Sequence, residues 1–179
     1  MIRAYVNRPY MTDVIKSSLL GMWLGAALFF SAVVAPAVFG VLRQFNLSNA
    51  NEIAGTIVTR TLAVINVSGF LLGLFLLAAT LIWKRQDVNV AFLLQLLSLT
   101  VLSITTAMGH WLVAARMLAL RAAMAMPIDR VAAEDPRRHA FNKLHGYSVA
   151  LLSAAMIAAI VAIVLFGVRR QVRSALDPS

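Results

Sequence analysis

No cysteine occurs among the 179 residues, which excludes disulfides, thiolate zinc sites, cysteine nucleophiles and cysteine-ligated iron–sulfur clusters. Charge is scarce as well: 13% of residues are Asp, Glu, Lys or Arg, against about 25% in soluble domains. Acidic charge is the scarcer kind, with 7 Asp and Glu against 16 Lys and Arg. Asp129, Glu134 and Asp135 lie in one loop beside Arg130, Arg137 and Arg138, where solvated ion pairing is the expected role. There is no Gly-rich phosphate loop, no His-Glu-x-x-His helix and no serine elbow. The acid chains of proton-coupled transporters and the paired repeats of secondary transporters are missing too. A non-enzymatic role is therefore expected.

What the chain does have is apolar length. The hydrophobic share is 61%, above the roughly 45–50% of soluble domains. Residues 17–42, 62–83, 88–115 and 147–168 contain no Lys, Arg, Asp or Glu. Crossing a hydrocarbon layer takes about 20 helical residues, and each stretch exceeds that length. The loops between them are too short for a separate soluble domain. The expected fold is an all-α membrane protein, a four-transmembrane-helix up-and-down bundle in one integral domain over residues 1–179. Arg3, Arg8 and Lys16 precede the first run and Ala35-Pro36-Ala37 resembles a cleavage site. The run is too long for a signal-peptide core, so the first span is expected to be retained.

The net charge of +9 would suggest nucleic acid in a soluble chain, but basic pairs such as Lys84-Arg85 and Arg169-Arg170 close the spans. Such residues meet lipid phosphates, so the expected partner is the bilayer and not nucleic acid. The short basic second loop and the basic tail favour a multi-pass inner (plasma) membrane protein with both termini cytoplasmic.

Local signals refine the spans. Thr12-Asp13 reads as a helix start, and Pro36 should bend the first span and free the carbonyl of Ala32. Asn49-x-x-Glu52 predicts a second helix beginning near Asn49, before the bilayer core. The third span should continue to about Ala125, where Met126-Pro127 stops it. Asp135 and Pro136 fit the cap and first turn of the fourth helix, and the end of the basic tail, from Leu176 to Ser179, should be unstructured. Leucine cannot drive helices together in lipid, so small and polar residues must. Gly21-x-x-x-Gly25, Gly69-x-x-x-Gly73 and the Ala150, Ala154, Ala158, Ala162 series are the candidate contact faces, with a homo-oligomer or a complex partner as possible uses of a glycine pair. Asn66 and Gln95 are expected to bond across helices.

The unusual chemistry concentrates at the end holding the first and third loops, where Asn66, Thr106, His110, Arg116, Arg121, His145 and Ser148 all fall. His110 is five residues inside its span, and an intramembrane ionisable side chain marks a functional site by default. One alternative is structural, with His110 bonded to Ser103 or Thr106 on its own stripe. Another is a metal or haem held by His110 and His145, with Met117 suited to Cu(I). Arg116 and Arg121 should anchor lipid phosphates or pair with Glu52.

Several segments resemble a known family. The run from Gly21 through Phe29-Phe30-Ser31 to Pro36 and Phe39, the stretch from Ala115-Arg116 to Arg121 and Met124, and Phe141-x-x-x-His145-x-x-Ser148 resemble an uncharacterised bacterial four-helix family related to eukaryotic transmembrane protein 205. The likeness spans residues 17–168 and implies the four-helix fold without an activity. The chain departs from that pattern at Ala115, at Leu152-Ser153 and at Thr61-Leu62-Ala63. More distantly the layout is similar to copper-resistance D-type proteins and to the haem-binding bacterial protoporphyrinogen oxidase, a likeness of fold alone. The expected role is a subunit or small binding module, with copper or other metal handling, solute permeation or haem-dependent redox chemistry as alternatives.

Overall fold

Helix starts in this chain rest on short polar side chains. The Asn89 carbonyl oxygen Oδ1 accepts the Phe92 N–H at 2.9 Å, and Asp135 Oδ1 accepts the Arg137 N–H at 2.7 Å; each satisfies an amide that a first helical turn leaves without a partner. The computed structural model describes residues 8–45, 47–82 and 89–176. Helix α1 runs Arg8–Phe29, widens into a π-helical turn at Phe30–Val34 and continues as Ala35–Gln44. Helix α2 is Ala50–Ile82. Helix α3 runs Val90–Ala107, widens at Met108–Ala114 and resumes as Ala115–Met124. A 3-10 turn at Ile128–Arg130 precedes α4, Pro136–Leu176.

All four are long and apolar enough to cross a membrane. α2 begins at Ala50, as its cap signature requires, and with 33 residues it extends about 50 Å, well beyond the hydrocarbon layer. The third helix ends at Met124 because Ala125 adopts a left-handed conformation, φ 53°, ahead of the expected Met126-Pro127 stop. Two starts and ends differ from the sequence expectation. α1 is already helical at Arg8, so Thr12 and Asp13 lie inside it, and α4 remains helical to Leu176. The Lys84–Asp87 loop and the last three residues of the tail lie outside the described residues.

Packing places the helices in ring order: α1 against α4 and α2, α3 against α2 and α4. The early part of α1 rests on α4, and its last segment rests on α2. The π turn lies directly ahead of Pro36, which has no N–H to donate and whose ring crowds the carbonyl four residues back. The Ala35 N–H bonds the carbonyl five residues back, on Phe30, so the wider turn accommodates the proline. The core holds Leu20, Ala27, Leu76, Leu99, Leu102, Ala155, Ala159 and Ala162, with Phe166 closing one end.

The two glycine pairs have different fates. Trp23 lies across Gly69, its ring carbons 2.7 Å from where a Cβ would stand, and Ser103 fills the space at Gly73. Trp23 also donates its indole N–H to the Ile65 carbonyl at 3.0 Å. Gly21 and Gly25 instead have open space around them, on a helix with 11% of its span buried against 33–39% in the others. The small face of α4 is also displaced from expectation: Ala155, Ala158, Ala159 and Ala162 are buried while Ala150 is exposed.

Candidate functional site

Antiparallel α2 and α3 are keyed by three contacts: Ser103 against Gly73, Asn66 against Gly109, and Arg121 against Gly55. Each pairs a glycine with a polar side chain, and the absence of a Cβ is what lets the polar group reach the opposing backbone. From Gly109 to Arg121 an unbroken α-helix would turn about 120° at 100° per residue. The extra residue of the π turn Met108–Ala114 removes most of that rotation. Arg121 thereby returns to the α2 side.

There it joins a well-defined cluster. Nη1 of Arg121 lies 3.6 Å from Glu52 Oε1 and donates to Thr56 Oγ1 at 3.4 Å. Its guanidinium sits 5.4 Å from the Phe141 ring of α4. The sequence expectation of a pair with Glu52 holds for Arg121. Arg116, five residues earlier, is exposed. Arg121 thus ties three helices together at the loop end, although its Nε is buried without an acceptor.

His110 sits inside the π turn of α3, half-buried. Its Nδ1 is fully covered and has no hydrogen-bond partner. The expected hydroxyl partners direct their protons elsewhere: Ser103 donates to the Leu99 carbonyl at 2.9 Å and Thr106 to that of Leu102 at 2.7 Å. Such bonds to the preceding turn are the usual recourse of a hydroxyl inside a helix. Beside His110, the Trp111 ring meets it edge-on at 4.9 Å and meets Phe70 of α2 at 5.0 Å. Trp111 is 51% exposed, so this aromatic group opens outward.

The remaining candidates are scattered. Asn66, Thr106 and Ser148 are buried. Met117 packs with Met124, Val131 and Phe141. His145 is exposed on α4. Arg121 over Phe141 and the Arg137 bond to the Ala123 carbonyl at 2.8 Å set the register of α3 against α4. Carried inward, that register levels His110 with Leu151, and His145 stands about six residues, or roughly 9 Å, nearer the loops. Among the described residues no group of three or more His, Asp or Glu side chains is placed to hold a metal ion. A metal held through Nε2 of His110 would also leave an Nδ1–H without the acceptor that metal-bound histidines normally have. The residues present fit copper or haem poorly.

Sequence reasoning missed Gly55, Phe70, Gly109 and Trp111. The run Gly109-His110-Trp111 in an apolar span was the one signal for them, since a glycine beside a polar group marks close approach. It also missed Lys16, which is buried near the opposite end with Nζ 3.4 Å from Thr80 Oγ1 and 5.6 Å from the Phe166 ring. With the fully buried Gln95 also near that end, polar groups occupy both ends of the bundle and not the loop end alone.

No curated protein and no solved structure matches this chain. A family profile does match, over residues 18–125, a range that contains both glycine pairs, the π turn with His110 and the Arg121 anchor. On that match the chain belongs to DUF4149, a domain family of unknown function.

Proposed function

We propose that this integral membrane protein is a non-enzymatic binding module or subunit, and that its ligand-binding part is the loop-end half of the bundle around His110. The observation that carries this reading is that His110, half-buried within a π turn, has its Nδ1 covered and unpartnered, which leaves Nε2 on its open side as the polar atom a ligand can reach. A stranded polar group costs about 1–3 kcal/mol, and π turns are frequent at functional sites. The polar neighbours Asn66, Thr106 and Ser148 line the same half, with Arg121 as its structural anchor. A relation to transmembrane protein 205, which the sequence resembles, is part of this proposal and would add no activity to it.

The same reading puts the protein in the inner membrane with both termini cytoplasmic, following its basic second loop and tail. A second copy or a complex partner would meet α1, where Gly21 and Gly25 are bare. Native mass spectrometry of protein taken from its own membrane in mild detergent tests the main claim. A bound small molecule is expected, and it should be lost in His110→Phe. A Soret band that vanishes in His110→Ala, or stoichiometric copper in the same sample, would replace this reading with a haem or copper protein. A chain carrying no ligand sensitive to His110 would overturn it.

A further inference from the structure

We infer that the outward face carrying His110, Trp111 and Phe70 binds the ring of a membrane-dissolved quinone, with Nε2–H of His110 donating to a ring carbonyl. The inference rests on the binding-module reading and names its ligand class. The first step is the position of the imidazole proton. Nδ1 is covered and meets no acceptor, so a proton there would be a stranded donor. The tautomer that leaves the donor where an incoming acceptor can reach it carries the proton on Nε2. The open side of the half-buried ring therefore presents a hydrogen-bond donor, and its complement is an acceptor oxygen.

Depth narrows the source of that oxygen. His110 lies five residues inside the end of its apolar run at Ala115, or roughly 7–8 Å into the layer. Phospholipid ester carbonyls lie at the edge of the hydrocarbon layer and would fall short by that distance. An acceptor at His110 has to belong to a molecule that is soluble in the layer itself. The walls define the rest of its shape. Trp111 meets the imidazole edge-on at 4.9 Å and Phe70 at 5.0 Å and 77°, so the aromatic surface beside the imidazole is the Trp111 ring, backed by Phe70 and half open to lipid. Flat rings stack on such surfaces for about 0.5–1.5 kcal/mol beyond simple burial. A carbonyl borne on a flat ring with an apolar tail meets all three conditions, and this is the chemistry of a quinone.

Decyl-benzoquinone is the probe. The full chain is placed in phosphatidylcholine nanodiscs, and retained quinone is extracted and counted against empty discs. Saturable retention with quenching of tryptophan emission is expected. His110→Phe keeps the ring shape without the donor and should weaken retention about tenfold, the loss of about 1.4 kcal/mol. His110→Gln returns an N–H donor and should recover part of it, and Trp111→Leu should weaken retention and remove most of the quenching. If His110→Phe fails to fold, the Gln and Leu variants carry the comparison. Retention equal to empty discs, or wild-type retention in both His110→Phe and Trp111→Leu, would overturn the assignment. If native mass spectrometry finds a different molecule that depends on His110, the quinone fails while the binding module stands. Saturable phosphatidylglycerol binding with no quinone retention would likewise reject the quinone.

Discussion

At the scale of single residues, glycines decide where polar groups can go. At Gly69 a Cβ would stand 2.7 Å from the Trp23 ring, and the indole is held by its bond to Ile65, so it cannot easily give way. Gly69→Val is expected to destabilise the bundle by about 1–3 kcal/mol, the usual cost of overpacking, read as a lower thermal midpoint in detergent. Gly21→Val and Gly25→Val should leave that midpoint unchanged in the monomer, because nothing lies within 4 Å of either. The arginines divide in the same way. Arg121→Gln loses the Phe141 face and the Glu52 pair, which should cost about 1–2 kcal/mol and speed proteolysis of the third loop. Arg116→Gln, at an exposed site, should stay within about 0.5 kcal/mol of the parent.

At the scale of elements, the loop into α4 carries a titratable switch. Arg137 beside Asp135 bonds its carboxylate through side chain and backbone and holds it below the ordinary carboxylate range, and the same contact raises Arg137. A carboxyl lowered in the folded state stabilises at any pH above its unfolded value, and that contribution is lost as pH falls through its lowered value. Protection of the Arg137 amide, taken relative to the free-peptide exchange rate at each pH, should therefore hold at neutral and mildly acidic pH and fall only below the ordinary aspartate range. In Asp135→Ala, which has no acceptor to offer, that protection should be low throughout and should not change across that window. The π turn in α3 gives a second test. Deleting exposed Leu112 should anneal the turn into continuous α-helix while Arg121 keeps Glu52. Deleting Leu118, beyond the turn, should rotate Arg121 by about 100° and lower the thermal midpoint as Arg121→Gln does.

The four spans at the scale of the whole molecule were legible because a charge-free run longer than about 20 residues finds few stable surroundings besides a bilayer. Asn49-x-x-Glu52 and Asp135-Pro136 located two helix starts because capping is a local matter. The two π turns were not legible: Pro36 announced a bend, but nothing local says that an extra residue is wound in at Phe30–Val34 or Met108–Ala114. Lys16 read as part of a tail because its burial depends on Thr80 and Phe166, residues far along the chain. Likewise the stripe holding Ser103, Thr106 and His110 suggested mutual bonding, whereas the hydroxyls satisfied themselves within their own turns. Reporter fusions at the two termini should give the same side, and an odd number of crossings would undo the bundle described above.

The spacing of anchors along α3 has a mechanical consequence. One half is fixed to α2 through Ser103 and Gly73, and the far half through Arg121, Gly55 and Glu52, with the loosened coil between them at Met108–Ala114. Torque applied to the loop end, by a partner or by tension in the surrounding leaflet, cannot easily slip either clamp. It would be absorbed in the segment where the winding has slack, and that segment carries His110.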